Sequence, residues 1–315
     1  PLAGIDLLPA LERHSAYARI RQSIGERLEL TGDIRYSLRT TESATAAAAG
    51  IFNVTQANPW FVSPNGASSH TVAYSFLRDI GPARSSTESE SLGLTIGARY
   101  DVSPTWSVEA YVADAWELAD FGVSNRVNTR FLSEALGNIP DDPATPFRAA
   151  VDGYFNLFGD GSANAQAVSD FIGSGYGVVR NRSRASSANL LVQGPLWRLP
   201  GDDISLAVGG QARREAVETE GETFPTAAAP RFISSPDRSR AISAVFAEAR
   251  IPIVGPDNER AGIRRLELSV ATRFEDYDDF GSTTNPKLGL IWSPDEQITM
   301  RTSWGTSFRA AALTQ

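Results

Sequence analysis

Long stretches of this chain alternate apolar and polar residues with a period of two, and that pattern constrains the fold more than any other feature. Leu28, Leu30, Ile34, Tyr36 and Leu38 alternate with Glu29, Thr31, Asp33, Arg35, Ser37 and Arg39. Leu92, Leu94, Ile96, Ala98 and Tyr100 stand against Thr95, Arg99 and Asp101. Leu266, Leu268, Val270 and Phe274 alternate with Glu267, Ser269, Arg273 and Glu275, and Ile298, Met300, Thr302 and Trp304 with Thr299, Arg301 and Ser303. A helix, with its period of 3.6, would spread each set around its circumference, whereas a strand sends each set to one face. These segments are read as β-strands.

The strands are long, several of about 12–16 residues against about 5–6 in an ordinary globular sheet. Arg and Glu recur on their polar faces, which suits a wet lumen better than a dry core. Tyr36, Tyr100, Trp106, Trp197, Trp292 and Trp304 fall near strand ends, as in the aromatic girdles of membrane barrels. No run approaches the roughly 18 consecutive apolar residues of a membrane helix, but a barrel strand crosses with about 9–11 alternating ones. The mean hydropathy of −0.21 is compatible with that.

Loop lengths sharpen the choice between a membrane barrel and a soluble sandwich. Short links fall near Gly25, Ser103-Pro104, Leu199 to Asp202, Val254 to Asn258 and Ser293 to Glu296. Long ones span about 41–71, 119–181 and 219–236, with a tighter one around Asp279 to Ser282. Short links at one end and long links at the other describe an up-and-down membrane barrel. The expected fold is therefore all-β: an antiparallel transmembrane β-barrel, partial, with about ten strands. They are placed at 12–23, 27–40, 72–101, 105–118, 182–197, 203–218, 237–252, 264–278, 285–293 and 297–309. The third exceeds one bilayer crossing, and Gly81-Pro82 marks a break in it. Within 119–181, Arg130 to Leu136 and Ala163 to Ile172 have helical spacing, so this link is expected to be a partly helical extracellular loop on the barrel rim.

The segment Glu267-Leu268-Ser269-Val270-Ala271-Thr272-Arg273-Phe274-Glu275-Asp276-Tyr277-Asp278-Asp279-Phe280-Gly281-Ser282-Thr283-Thr284-Asn285-Pro286-Lys287-Leu288-Gly289-Leu290 resembles a strand–loop–strand signature of TonB-dependent receptors. Trp292-Ser293-Pro294 and Gly305-Thr306-Ser307-Phe308-Arg309-Ala310 look like the turn and strand end that follow it, although Ala311 stands where the family usually has Pro. Phe155 to Gly161 and Phe246 to Pro252 extend the resemblance, which is densest over 240–310. It implies a barrel of about twenty-two strands with a plugged lumen. It further implies an N-terminal plug, a TonB box and uptake driven by the inner-membrane TonB complex. Plug, TonB box and closing strands are not found in residues 1–315, so the whole chain is read as one piece of such a barrel domain.

Composition narrows the chemistry. Without cysteine there is no disulfide or thiolate site, and His14 and His70 are the only histidines. A net charge of −8 argues against nucleic acid. Asp276, Asp278 and Asp279 beside Gly281 form the one acidic cluster worth weighing as a cation site; the competing and preferred reading is a solvated hairpin tip. Asp160-Gly161-Ser162 with Asn164 lacks the ligand spacing of a calcium loop and is read as a turn. His70 lies beside Ser68 and Ser69, but neighbours on an extended chain face opposite ways, and no G-x-S-x-G elbow occurs. Gly173-Ser174-Gly175-Tyr176-Gly177 lacks the strand-to-helix setting of a phosphate loop. No catalytic residue, metal or cofactor is assigned. Inward Arg35, Arg99, Arg273 and Arg301 are candidates to guide an anionic ligand or to pair with a plug.

The expected function is TonB-energised uptake of a scarce nutrient across the outer membrane of a Gram-negative bacterium. A ferric siderophore is the first ligand by family analogy, with a vitamin or oligosaccharide behind it. Expected partners are outer-membrane lipid and, through the plug, the TonB complex, around a monomeric barrel. The alternatives are a passive porin and a soluble β-rich binding module.

Overall fold

The computed structural model describes residues 4–161 and 163–313. Ten strands form one antiparallel sheet: β1 (Ala10–Ile24), β2 (Leu28–Thr45), β5 (Ala83–Asp101), β6 (Ser107–Arg126), β7 (Gly175–Arg198), β8 (Asp203–Thr223), β9 (Arg231–Val254), β10 (Arg265–Tyr277), β11 (Gly281–Ser293) and β12 (Met300–Gly305). Each pairs with its neighbours in chain order, and a separate hairpin of β3 (Ala49–Thr55) and β4 (Ser69–Ser75) stands between β2 and β5. The sheet is an open wall with β1 and β12 at its edges, the partial barrel expected.

Turn chemistry fixes the short end. Gly25 takes a positive φ of 63° between β1 and β2. The Ser103 hydroxyl accepts from the Thr105 and Trp106 amides at 3.3 and 3.1 Å, and the Asp295 carboxylate accepts from Gln297 and Ile298, both at 2.8 Å.

The register separates two faces. Leu30, Ala98, Ala110, Leu190, Gly210, Val245 and Phe274 are successive cross-strand partners and share the outer face. Large apolar side chains there are bare: Ile96 is 68% exposed, Val245 60% and Trp304 59%. The other face carries Glu29, Arg99 and Glu109 in one row and Gln211, Ala244 and Glu275 in another. Apolar outside and polar inside inverts a soluble protein and is the arrangement of a membrane barrel.

The outer apolar band also gives the strand tilt. It runs Leu28–Leu38 on β2, Leu92–Tyr100 on β5 and Leu266–Phe274 on β10. Phe274, the top of the band on β10, lies in the row of Leu30, near its bottom on β2. The band thus slides by a little over one residue per strand. With about 3.3 Å along a strand and about 4.8 Å between strands, that slide is a tilt of about 35–40°. About eight residues at that tilt climb about 20 Å, close to the apolar height of an outer-membrane barrel.

Strand boundaries differ from expectation mostly above this band. Residues 72–75 belong to β4, and β5 starts at Ala83, just past Gly81-Pro82. The link placed at 219–236 shrinks to 224–230, because Thr219 to Thr223 pair with Arg231 to Ser235 beyond a bulge at Val217/Thr219. The link placed at 119–181 likewise loses both ends to β6 and β7. Thr219 to Thr223 carry no apolar residue on either face, so hydropathic alternation cannot show that extension, whereas Ala119, Phe121 and Val123 do alternate with Asp120, Gly122 and Ser124. β12 ends at Gly305, not at 309, and the Thr306 amide donates instead to Pro286 O at 3.0 Å.

The buried apolar cluster lies outside the sheet, among the long links. Val54, Phe76, Phe131, Leu132, Leu136, Phe147, Phe155, Leu157, Val168 and Ile172 form it, joined by Phe224 from the β8–β9 link. Helices α1 (Thr129–Ala135), α2 (Ala149–Asp152) and α3 (Gln166–Ile172) supply much of it, α1 and α3 where helical spacing placed them. Asn128 caps α1, accepting from the Arg130 and Phe131 amides while its own amide donates to Phe224 O and Ala227 O. This folded cap sits over the long-link end of the wall.

Candidate functional site: the inward wall and its cap

The inward face is laced by ordered polar side chains. Across β7, β8 and β10, Asn189 donates to the Ser187 hydroxyl (3.2 Å), Gln211 to Asn189 (2.7 Å) and Arg273 to Gln211 (2.8 Å). Arg273 also donates to Glu275 at 2.8 Å, whose other oxygen accepts from Tyr277 at 3.0 Å. The chain skips β9 because Ala244, between Gln211 and Glu275, is too small to block it. Below it the Phe246 ring lies over Gly209, where a Cβ would collide with it, and the Arg273 guanidinium stands 5.6 Å above that ring.

Higher on the same face, Glu215 pairs with Arg240 at 2.6 Å and Arg213 at 3.2 Å, and Arg240 stands 5.6 Å over the Tyr277 ring. Lower down, Arg99 bridges Asp101 (3.2 Å) and Glu109 (3.1 Å). Arg35 pairs with Asp33 at 3.3 Å, which also accepts from Tyr17. Of the four arginines singled out from the sequence, Arg35, Arg99 and Arg273 are thus held by carboxylates, while Arg301 lies on edge strand β12 opposite Ile291. Across this wall opens a concavity of about 890 Å³, lined among others by Arg13, Tyr17, Arg35, Glu117, Ser183, Glu215 and Arg240.

The acidic cluster is not gathered. Asp276 faces outward opposite Ser243 and Ser282, the Asp278 amide donates to Ala241 O, and Asp279 lies 3.7 Å from Arg240. Asp160 accepts from Arg78 and Asn164 donates to Asp79; Ser162 lies outside the described residues. Among the described residues, no three His, Asp or Glu side chains form a metal-binding group. His14 contacts Glu12 on exposed β1. His70 meets Ser63 at 3.3 Å, not Ser68 or Ser69, beneath the stacked Phe61 ring. The Ser63 hydroxyl also donates to Ala67 O at 2.8 Å.

In the cap, burial is the main cause that lifts the Glu134 carboxyl above the usual range, against an Asp142 amide at 3.3 Å and Arg130 at 3.4 Å. Asp142 is pulled below it, first by the Ala144 amide and then by Arg130. The Tyr74 hydroxyl, half-buried and donating to Asp79 at 2.9 Å, is raised, by burial first and then by that carboxylate.

The model of the TonB-dependent receptor-like β-barrel matches residues 73–315. The chain belongs to that family. The receptor barrel is similar in fold to the structure of the RagAB peptide transporter, with a TM-score of 0.56 and 11% identity over 94% of this chain and 33% of that one. The RagAB peptide importer in its open-open state gives a TM-score of 0.53 and 10% identity over 90% and 30%. The chain thus spans about a third of the solved structures it matches. No curated protein matches it. The family is one of TonB-dependent receptor-like barrels, and these neighbours are peptide transporters. The inward polar network, which links residues about 20 to 60 apart in sequence, left no local sequence signal beyond alternation; only the register brings it together.

Proposed function

We propose that this chain forms part of the wall of an outer-membrane receptor that takes up a scarce nutrient with energy supplied through TonB. The observation that carries the reading is a polar, hydrogen-bonded lumen face under a folded cap, in a chain of this family. Fixed polar side chains suit a wall that holds a ligand or plug at defined points. A ferric siderophore remains the first ligand by family analogy, and the likeness to a peptide importer favours an oligopeptide as the second.

Uptake by cells producing the protein decides between them. Radioiron delivered as a siderophore complex and a labelled oligopeptide mixture are supplied with and without an active TonB system. Accumulation of one ligand that stops when TonB is inactivated supports the reading and names the class. Passage that is ligand-independent and indifferent to TonB replaces it with a passive porin.

A further inference from the structure

Several inward arginines, among them Arg35, Arg99, Arg240 and Arg273, are matched to carboxylates. Arg13, Arg19, Arg39 and Arg301 have no ion pair among the described residues, and of these only Arg13 and Arg39 face each other. Arg13 on β1 and Arg39 on β2 are direct cross-strand partners on the lumen face. Both are exposed. Like charges in that position repel, so the pair costs stability unless something lies between them. Arg13 reaches only the Ser15 hydroxyl, at 3.2 Å, and neither guanidinium has an ion-pair partner among the described residues. Around them on that face stand hydroxyls, Ser15 opposite Ser37 and Thr41 opposite Thr87, with Leu11 opposite Thr41 on the edge strand. Ser89, opposite Arg39, donates at 2.7 Å to Glu117, an inward carboxylate one strand further on. Arg13, Ser15 and Ser37 line the 890 Å³ concavity, and Arg39 pairs with Arg13 at its margin. Two unneutralised guanidiniums set among neutral donors have the chemistry of an oxyanion site, since the planar fork matches carboxylate and phosphate oxygens.

We propose that Arg13 and Arg39 form a subsite for a carboxylate or phosphate group carried by the transported ligand. This rests on the import reading, and it makes the cargo anionic. The same chemistry would serve a carboxylate from another part of the receptor, so the test separates the two sources.

The protein, purified from outer membranes in detergent, is titrated calorimetrically at low salt with citrate and with inorganic phosphate. Heat-modifiable gel mobility confirms that each variant is folded. Wild type is expected to bind at least one of these anions, with Arg13→Gln and Arg39→Gln each weakening it about tenfold. The double variant should show no binding. Arg19→Gln, whose position faces Asp33, should stay within about twofold. Equal binding by wild type and the double variant overturns the proposal. So does wild type that binds neither anion while the double variant unfolds at lower temperature, because the receptor's own carboxylate then fills the site. Transport is scored separately: anion binding that depends on the pair, without TonB-dependent uptake, removes the import reading and leaves the oxyanion site.

Discussion

Replacing Ile96 by Arg, and Thr95 by Arg beside it, tests the architecture through a single step of parity. Ile96 faces out, opposite Gly32 and Val112, at the middle of the apolar run Leu92–Tyr100. Four residues at a tilt of about 35–40° put it about 10 Å from either edge of the band. Arg near the midplane of a barrel's lipid face costs about 2–4 kcal/mol, or about thirtyfold to several hundredfold in the folded-to-unfolded ratio. Thr95 faces the lumen, opposite Asp33 and Ala113, so Arg there meets water and a carboxylate and should change stability by no more than about 0.5 kcal/mol. The assay is urea unfolding of the protein in phospholipid vesicles, followed by tryptophan fluorescence and by heat-modifiable mobility. Equal costs at the two positions would refute the assignment of faces, and with it the membrane reading of the sheet.

Phe155 is fully buried in the cap, so Phe155→Ala should cost about 3–5 kcal/mol there, read as faster amide exchange in α1 and α3 with strand exchange unchanged. Gly209→Ala sets a Cβ 2.7 Å from Leu190 O and into the Phe246 ring, and should destabilise by about 1–3 kcal/mol, seen as a lower urea midpoint. The cap should also respond to pH. The raised Glu134 favours the protonated fold, so its contribution is full in acid and is lost as pH climbs from the ordinary carboxylate range through its raised value. The lowered Asp142 acts oppositely: its contribution is present above the ordinary range and is lost as pH falls through its depressed value. Glu134→Gln should therefore abolish the loss of cap protection towards neutral pH, measured by amide exchange, while the acid-side loss persists.

Much of the wall was legible because a lipid-facing strand must alternate, and Leu28 to Leu38 or Leu266 to Phe274 can alternate only one way. Turn chemistry at Gly25, Ser103 and Asp295 then fixed the links. Above the bilayer the constraint lapses. Thr219 to Thr223 and Arg231 to Ser235 pair by backbone hydrogen bonds with water on both sides, and nothing in their side chains announces it. The β3–β4 hairpin left a fainter mark, Phe52 and Val54 against Val72 and Tyr74, which is two periods long and easily lost within a long link. The lumen network was the least visible. Arg273 reaches Gln211 only because Ala244 is small, a relation between three strands that no window along one strand contains.

The cap draws Phe76 from the β2–β5 link, Phe131 and Phe155 from the β6–β7 link, and Phe224 from the β8–β9 link. Three different hairpins must therefore deliver their tips to the same side of the membrane before one shared core can close. A chain with any of them inverted leaves an aromatic stranded across the bilayer from its partners. The shared core therefore closes only when all three hairpins have the same orientation, and backing one out again requires that core to be broken first.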